Sequence, residues 1–431
     1  MRLFARHAFL PEGLARDVLI DIASDGTLAA ITPGGVPGEA ERLAGLLLPG
    51  MANLHSHAFQ RAMAGTAERR RRQDDDFWSW REAMYAPAAT IEPNALYDVA
   101  CDVYRAMLLA GYTAVAEFHY IHRDPSGAWY AERAATSLTL VAAAREAGIA
   151  ICLLPALYAH ADIGGVPLRS EQRRFASDVG DVLEIGDAVR KAYAHDVDVT
   201  VGACAHSLRA VTPHELRALV TGAPPSVPIH LHIAEQTREV DAFAAVFKQR
   251  PVAWLLANYS VDARWCLVHA TQLDERERSA LGASGAVAGL CPTTEANLGD
   301  GLFPLGPYVR DGGGFGIGSD SNVSISPVEE LRWLEYGQRL ITRRRIVAVT
   351  DAQSSCGEFL YASAAAGGAQ ACGRASGALS VGCRADLVVV DGLGEADAPT
   401  ALDRYIFATD RAAPRDVMVG GRWCVRDRRL V

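Results

Sequence analysis

The sequence predicts an α/β protein built on a (β/α)8 barrel of the TIM type, and three observations carry that expectation. Eight apolar, strand-like runs recur along the middle of the chain. They are separated by stretches of helical periodicity, and the polar residues cluster at the C-terminal ends of the runs. The runs are Leu46–Asn53, Thr113–Phe118, Ile149–Leu157, Val199–Ala205, Pro228–Ala234, Trp265–Val268, Ala286–Cys291 and Phe315–Gly318. Between them, segments such as Pro93–Ala110, Tyr130–Ala147 and Pro213–Val220 read as helices. Strands alternating with helices give parallel β-α units, and eight in about 330 residues suit a barrel of typically about 250 residues plus insertions. A doubly wound open sheet is the structural alternative.

The two ends of the chain read differently. Val18–Ile22 and Leu28–Ile31 are short apolar runs bounded by S-D-G and P-G-G turns, and Ala385–Asp391, Asp416–Val419 and Trp423–Val425 behave likewise. Both termini are therefore β-rich pieces around a different middle.

Composition narrows the class. The 431 residues are half hydrophobic and 22% charged, with a net charge of −9, which excludes disorder and disfavours a polyanionic partner such as nucleic acid. The basic run Arg69–Arg72, followed by acidic residues 74–76, reads as a solvated loop. Nine scattered cysteines without a C-x-x-C pair fit reduced thiols, and no run approaches the roughly 20 apolar residues of a membrane helix. The expectation is a soluble intracellular protein.

The runs end, in order, in HSH, FHY, LYAH, AHSLR, HIAE, VHAT, CPTTEANL and GSDS, which places seven of the twelve histidines at strand ends. In a barrel that edge is the face on which active sites are built. His55 and His57, two apart on a strand, point to one side and can reach one ion, although H-x-H also occurs in hairpins. Together with His232 and Asp320 they make three imidazoles and one carboxylate. That set suits a divalent ion such as Zn²⁺, with Fe²⁺ the alternative, and leaves a position for water. His230 points the same way as His232 and is read as a supporting or core-filling residue. Glu235 can reach such a water and move its proton, or simply begin a helix. His269 can stabilise developing charge, or sit buried against a backbone group.

Only two of the 42 basic residues are lysines, Lys191 and Lys248, both in helix-like stretches. A two-metal centre bridged by a carbamylated lysine on a strand therefore has no candidate, and one metal ion per subunit is expected. P-loop, G-x-G-x-x-G, G-x-S-x-G and H-E-x-x-H signatures are all absent.

PGMANLHSH, HLHIAE, VHA, GSDS and the tail GALSVGCRADLVVVD resemble the amidohydrolase superfamily. More narrowly, NLHSHAFQRAMAG, FWSWREAMY, AGYTAVAEFHYIH, HSLRAVTP, WCLVHAT, GLCPTTEANLGDG and SPVEELRWLEYGQRL resemble formimidoylglutamate deiminase, along nearly the whole chain. The resemblance implies a small β-sandwich domain from residues 1–47 and 376–431 around a catalytic barrel at 48–375. It implies removal of ammonia from N-formimino-L-glutamate in histidine breakdown, in a cytoplasmic homodimer. It assigns the metal to His55, His57, His232 and Asp320, and catalysis to Glu235, His269 and Asp320. Substrate contacts fall on Gln60, Arg81, Tyr120, His206 and Arg209, with Gln60 and Arg81 in the first loop. Asn322 stands where some relatives carry His.

The substrate's own chemistry agrees with that assignment. Two carboxylates call for two separated anion sites, and guanidinium groups such as Arg81 and Arg209 bind carboxylates bidentately. The nearest rival is a deaminase or chlorohydrolase of the same superfamily acting on a purine or triazine ring. A catalytically dead, assembly-forming relative and a hydrolase releasing formamide plus glutamate are the others.

Overall fold

The computed structural model describes the chain except residues 67, 70–72, 74, 394–398 and 410–412. The run Arg69–Arg72 thus lies mostly outside the described residues. Two sheets organise the rest. One is a parallel sheet of nine strands that curls into a nearly closed eight-position barrel. Its strands are Met51–Ser56, Tyr112–His119, Ala150–Leu157, Val199–Val201 with Ala203–Ser207, Ile229–Ile233, Trp265–His269, Val287–Leu290 and Gly314–Ile317. Several, including Tyr112–His119 and Ala150–Leu157, are buried along their whole length, as parallel strands covered by helices must be.

The other sheet has eight strands and draws on both ends of the chain. Glu41–Pro49 sits in the middle of it, parallel to Arg2–Leu10 and antiparallel to Leu387–Val390. This splits the first apolar run of the sequence. Leu46–Pro49 belongs to the terminal sheet and only the residues after Gly50 enter the barrel, because Pro49-Gly50 breaks the ladder between two equally apolar segments. The strand Arg2–Leu10 was not legible either, since charge interrupts it; it pairs with Gly13–Ile22 in a hairpin. Gly202 likewise divides the fourth run into two short strands.

Helices follow the local signals. Pro93–Ala110 starts with proline in its first turn and stops at Gly111, whose φ of 102° is left-handed. Asp178, Thr212 and Asp274 each cap a helix by accepting a backbone N–H three residues on. The segment FWSWREAMY, read from sequence as a loop, forms the helix Phe77–Thr90 and roofs the barrel mouth. Lys191 and Lys248 lie in and at the end of outer helices.

The barrel closes at the C-terminal ends of its strands. The Asp320 N–H donates to the His55 carbonyl and the His57 N–H donates to the Asp320 carbonyl, each at 2.9 Å. A Cβ at Gly318 would lie 2.7–2.9 Å from His55 backbone and side-chain atoms, so only glycine permits this approach.

Candidate active site

Three imidazoles and one carboxylate converge where the first, fifth and eighth barrel positions end. His55 Nε2 lies 3.2 Å from His57 Nε2 and 3.0 Å from His232 Nε2. Asp320 Oδ1 is 3.6 Å from the first and 3.3 Å from the second. Hydrogen bonding sets the tautomers of two of the rings. Nδ1 of His57 donates to the Phe118 carbonyl and Nδ1 of His232 to the His206 carbonyl, both at 2.7 Å. A carbonyl only accepts, so both Nε2 atoms present lone pairs. Burial holds His55, His57 and His232 below the usual histidine range; repulsion from neighbouring imidazoles adds to this at all three, while Asp320 partly opposes it at His57. The rings are therefore neutral donors rather than ion-pair partners of Asp320. Lone pairs aimed at lone pairs repel unless a cation lies between them, and this donor set fits a divalent ion, with the outer N–H groups of His57 and His232 already fixed.

Strand ends redirect the side chains through left-handed backbone. Ala234, His269 and Asp320 have φ of 50°, 66° and 46°, a conformation that costs a non-glycine residue about 1–3 kcal/mol and persists at functional sites. The turn at Ala234 swings Glu235 back over the mouth. Its Oε1 lies 3.5 Å from His269 Nε2. Thr271 Oγ1 donates to the Glu235 carbonyl at 2.7 Å. Burial pushes the Glu235 carboxyl up to about 7, against the opposing pull of His269 and Arg209. His269 is held from behind by Glu295, whose Oε1 is 3.2 Å from Nδ1. Burial alone would depress this imidazole, but Glu235, Glu295 and Asp320 together raise it to about 10.

The pocket beside this centre brings together all five residues expected to touch substrate: Gln60, Arg81, Tyr120, His206 and Arg209. Gln60 Nε2 donates to the Tyr120 hydroxyl at 3.0 Å. Arg81 stands on the roof helix, not in a loop as the sequence suggested, because aromatic residues at 77, 78, 80 and 85 pin that segment as a helix. Arg81 Nε and Nη1 and Arg209 Nε are buried without a hydrogen-bond partner among the described residues, as is Gln60 Oε1. Sequence reasoning missed Tyr85, Tyr158 and Phe175, which wall the pocket, and the carboxylates Glu239 and Glu295 behind it. Only Glu295 had a signal, its place in CPTTEANL just after the seventh run. His230 stays outside the convergent group and binds the Ala371 carbonyl at 2.8 Å. Asn322, left-handed at φ 57°, donates to Ser56 Oγ and the His57 and Asp320 carbonyls, stitching together the segments that carry His55, His57 and Asp320.

The chain belongs to the amidohydrolase family, whose model matches residues 46–424. Within it, the chain falls with the formimidoylglutamate deiminases: residues 1–45 match the N-terminal domain of formimidoylglutamate deiminase HutF. The formimidoylglutamate deiminase of Pseudomonas aeruginosa is 52% identical over 99% of this chain and 95% of its own. A crystal structure of an amidohydrolase from Brucella melitensis superposes with a TM-score of 0.95 at 44% identity, covering 100% of this chain and 95% of that one. The 5-methylthioadenosine/S-adenosylhomocysteine deaminase of Natronomonas pharaonis is 26% identical over 89% of this chain and 82% of its own. A mutant of atrazine chlorohydrolase TrzN from Arthrobacter aurescens TC1 shares the fold, with a TM-score of 0.84 at 21% identity, covering 100% of this chain and 96% of that one.

Proposed function

We propose that the protein hydrolyses N-formimino-L-glutamate to N-formyl-L-glutamate and ammonia in histidine degradation. The observation that carries this reading is the pair of arginines lining one small pocket, Arg81 and Arg209, in which Nε and Nη1 of the first and Nε of the second are buried without a hydrogen-bond partner among the described residues. Buried unpaired donors are costly, and a dicarboxylate satisfies both. A neutral purine or triazine ring would satisfy neither, although the aromatic wall could accommodate one.

His55, His57, His232 and Asp320 would hold a divalent ion, Zn²⁺ the best match and Fe²⁺ the alternative, which would supply the Lewis acidity that brings the pKa of water toward about 7. Arg81 and Arg209 bind the two carboxylates. Gln60, Tyr120 and His206 orient the formimino group at the barrel mouth. Glu235 takes one proton of the water that adds to the formimino carbon and passes it to the terminal nitrogen; the adduct's remaining hydroxyl proton follows through the same carboxyl as the C–N bond breaks, leaving a formyl C=O and ammonia. His269, held by Glu295, faces Glu235 and Asp320 and stabilises the charge that develops between them. Tyr158 and Phe175 exclude bulk water.

The homodimer is supported by an exposed apolar face, Trp333, Tyr336, Leu340 and Ile341, on the helix Pro327–Thr342. A charge such as Leu340→Glu placed there should yield monomers in light scattering. A cytoplasmic setting fits nine cysteines, all free. The deciding experiment is ammonia release from N-formimino-L-glutamate, guanine and adenosine analogues, on protein of known metal content with the products identified. Turnover of a ring substrate alone, or formamide plus glutamate as products, would overturn the reading.

A further inference from the structure

Glu239 is a buried carboxylate beside the site that the reaction above leaves without a task. It stands in the first turn of the helix Thr237–Phe247 and is 2% exposed. Its Oε2 accepts the backbone N–H of Glu235 at 3.1 Å. Its Oε1 lies 3.9 Å from Arg209 Nε, and both of those atoms are buried without a hydrogen-bond partner among the described residues. On the other side, Arg209 Nη2 lies 3.8 Å from Glu235 Oε2. The guanidinium hangs between two carboxylates at nearly equal distance, beyond the roughly 2.7–2.9 Å of a charge-assisted hydrogen bond to either. The Trp78 ring covers it, with its centroid 5.7 Å away.

Two attractions opposed in this way cancel as forces but add as energies. Together they compensate a buried positive charge without using up its donors. If one carboxylate is removed, the guanidinium is free to close on the other. That collapse would be damaging here, because the remaining partner is Glu235. An Arg209–Glu235 ion pair would withdraw a donor from the incoming carboxylate and occupy the carboxyl that must carry a proton.

We propose that Glu239 is a positioning residue that holds Arg209 off Glu235, keeping the guanidinium open to a substrate carboxylate and Glu235 open to a proton. This role rests on the deiminase reading of the site. It is tested with Glu239→Gln, Arg209→Gln and the double variant. Glutamine keeps an oxygen to accept the Glu235 N–H and replaces the charged oxygen facing Arg209 with a neutral amide nitrogen. Affinity for N-formyl-L-glutamate is read by calorimetry, alongside kcat, KM and the melting temperature, on protein of known metal content.

Glu239→Gln is expected to weaken product binding and lower kcat by about tenfold each with an unchanged melting temperature. In the Arg209→Gln background the same change should have no further effect on either, since its action passes through Arg209. Values within about twofold of the parent, or an equal loss with and without Arg209, would overturn the role. A wild-type protein that neither binds the product nor releases ammonia from formiminoglutamate would overturn the functional reading itself, and this role with it.

Discussion

The backbone N–H of Asp320 donates to the carbonyl of His55 at 2.9 Å, so the last strand position of the barrel meets the first between two residues of the convergent donor group. Closing the barrel and assembling the site are therefore one event. Gly318, two residues upstream, makes the approach possible. Gly318→Ala should lower stability by about 1–3 kcal/mol, as overpacking does, and should lower bound metal in parallel. Thermal melts and metal analysis of the same preparations check this; an unchanged metal content would separate closure from the site.

Replacing His232 by Ala removes one of the convergent Nε2 atoms. Metal and activity should disappear together, and added Zn²⁺ should not restore the parent's turnover. Elemental analysis of purified variant and parent decides the point.

Glu235→Gln keeps the shape of the side chain and abolishes its capacity to move a proton. Turnover should fall at least about 10²-fold, the usual contribution of a general acid–base, while metal content persists. Near-normal ammonia release from this variant would remove Glu235 from the mechanism.

Arg81→Ala and Arg209→Ala each delete a buried donor set. Either change should raise KM for formiminoglutamate by about tenfold or more, the scale of a lost charge-assisted hydrogen bond. A truncated substrate with a single carboxylate should be insensitive to one of the two variants. Steady-state kinetics on both substrates tests which arginine serves which carboxylate.

Glu117, on the second barrel strand, accepts the Ala58 N–H at 2.7 Å. Burial pushes its carboxyl up to about 8, from an ordinary 4.5. The folded state thus holds a proton that the unfolded chain releases, and the sign of the linkage is negative: stability from this group is full below pH 4.5 and falls as pH rises toward 8. Melting temperatures measured across that window should decline for the parent protein and decline less for Glu117→Gln. Parallel curves would remove Glu117 as the cause.

Much of the site was legible because barrel chemistry is tied to strand ends. His55, His57, His232, Glu235, His269 and Asp320 each follow an apolar run, and a parallel barrel gathers such residues at one rim whatever their separation in sequence. The boundary between the two sheets was not legible. Leu46–Pro49 and Met51–Leu54 are equally apolar, and only long-range pairing assigns one to Leu387–Val390 and the other to Tyr112–His119. Nor was the roof helix, since the aromatic segment around Arg81 reads as a loop until the pocket beneath gives it a surface to cover.

The sequence by itself determined the barrel, the donor types at its rim and the placement of both lysines away from the strand ends. Tertiary structure alone decided the tautomers of His57 and His232, set by the carbonyls of Phe118 and His206, residues far from them in sequence. It also decided that Arg209 stands between Glu235 and Glu239 and that Glu295 backs His269. The reason is physical. Residue type fixes what a group can donate, accept or coordinate, whereas burial and orientation, which tune its charge and choose its partner, exist only once distant segments pack together.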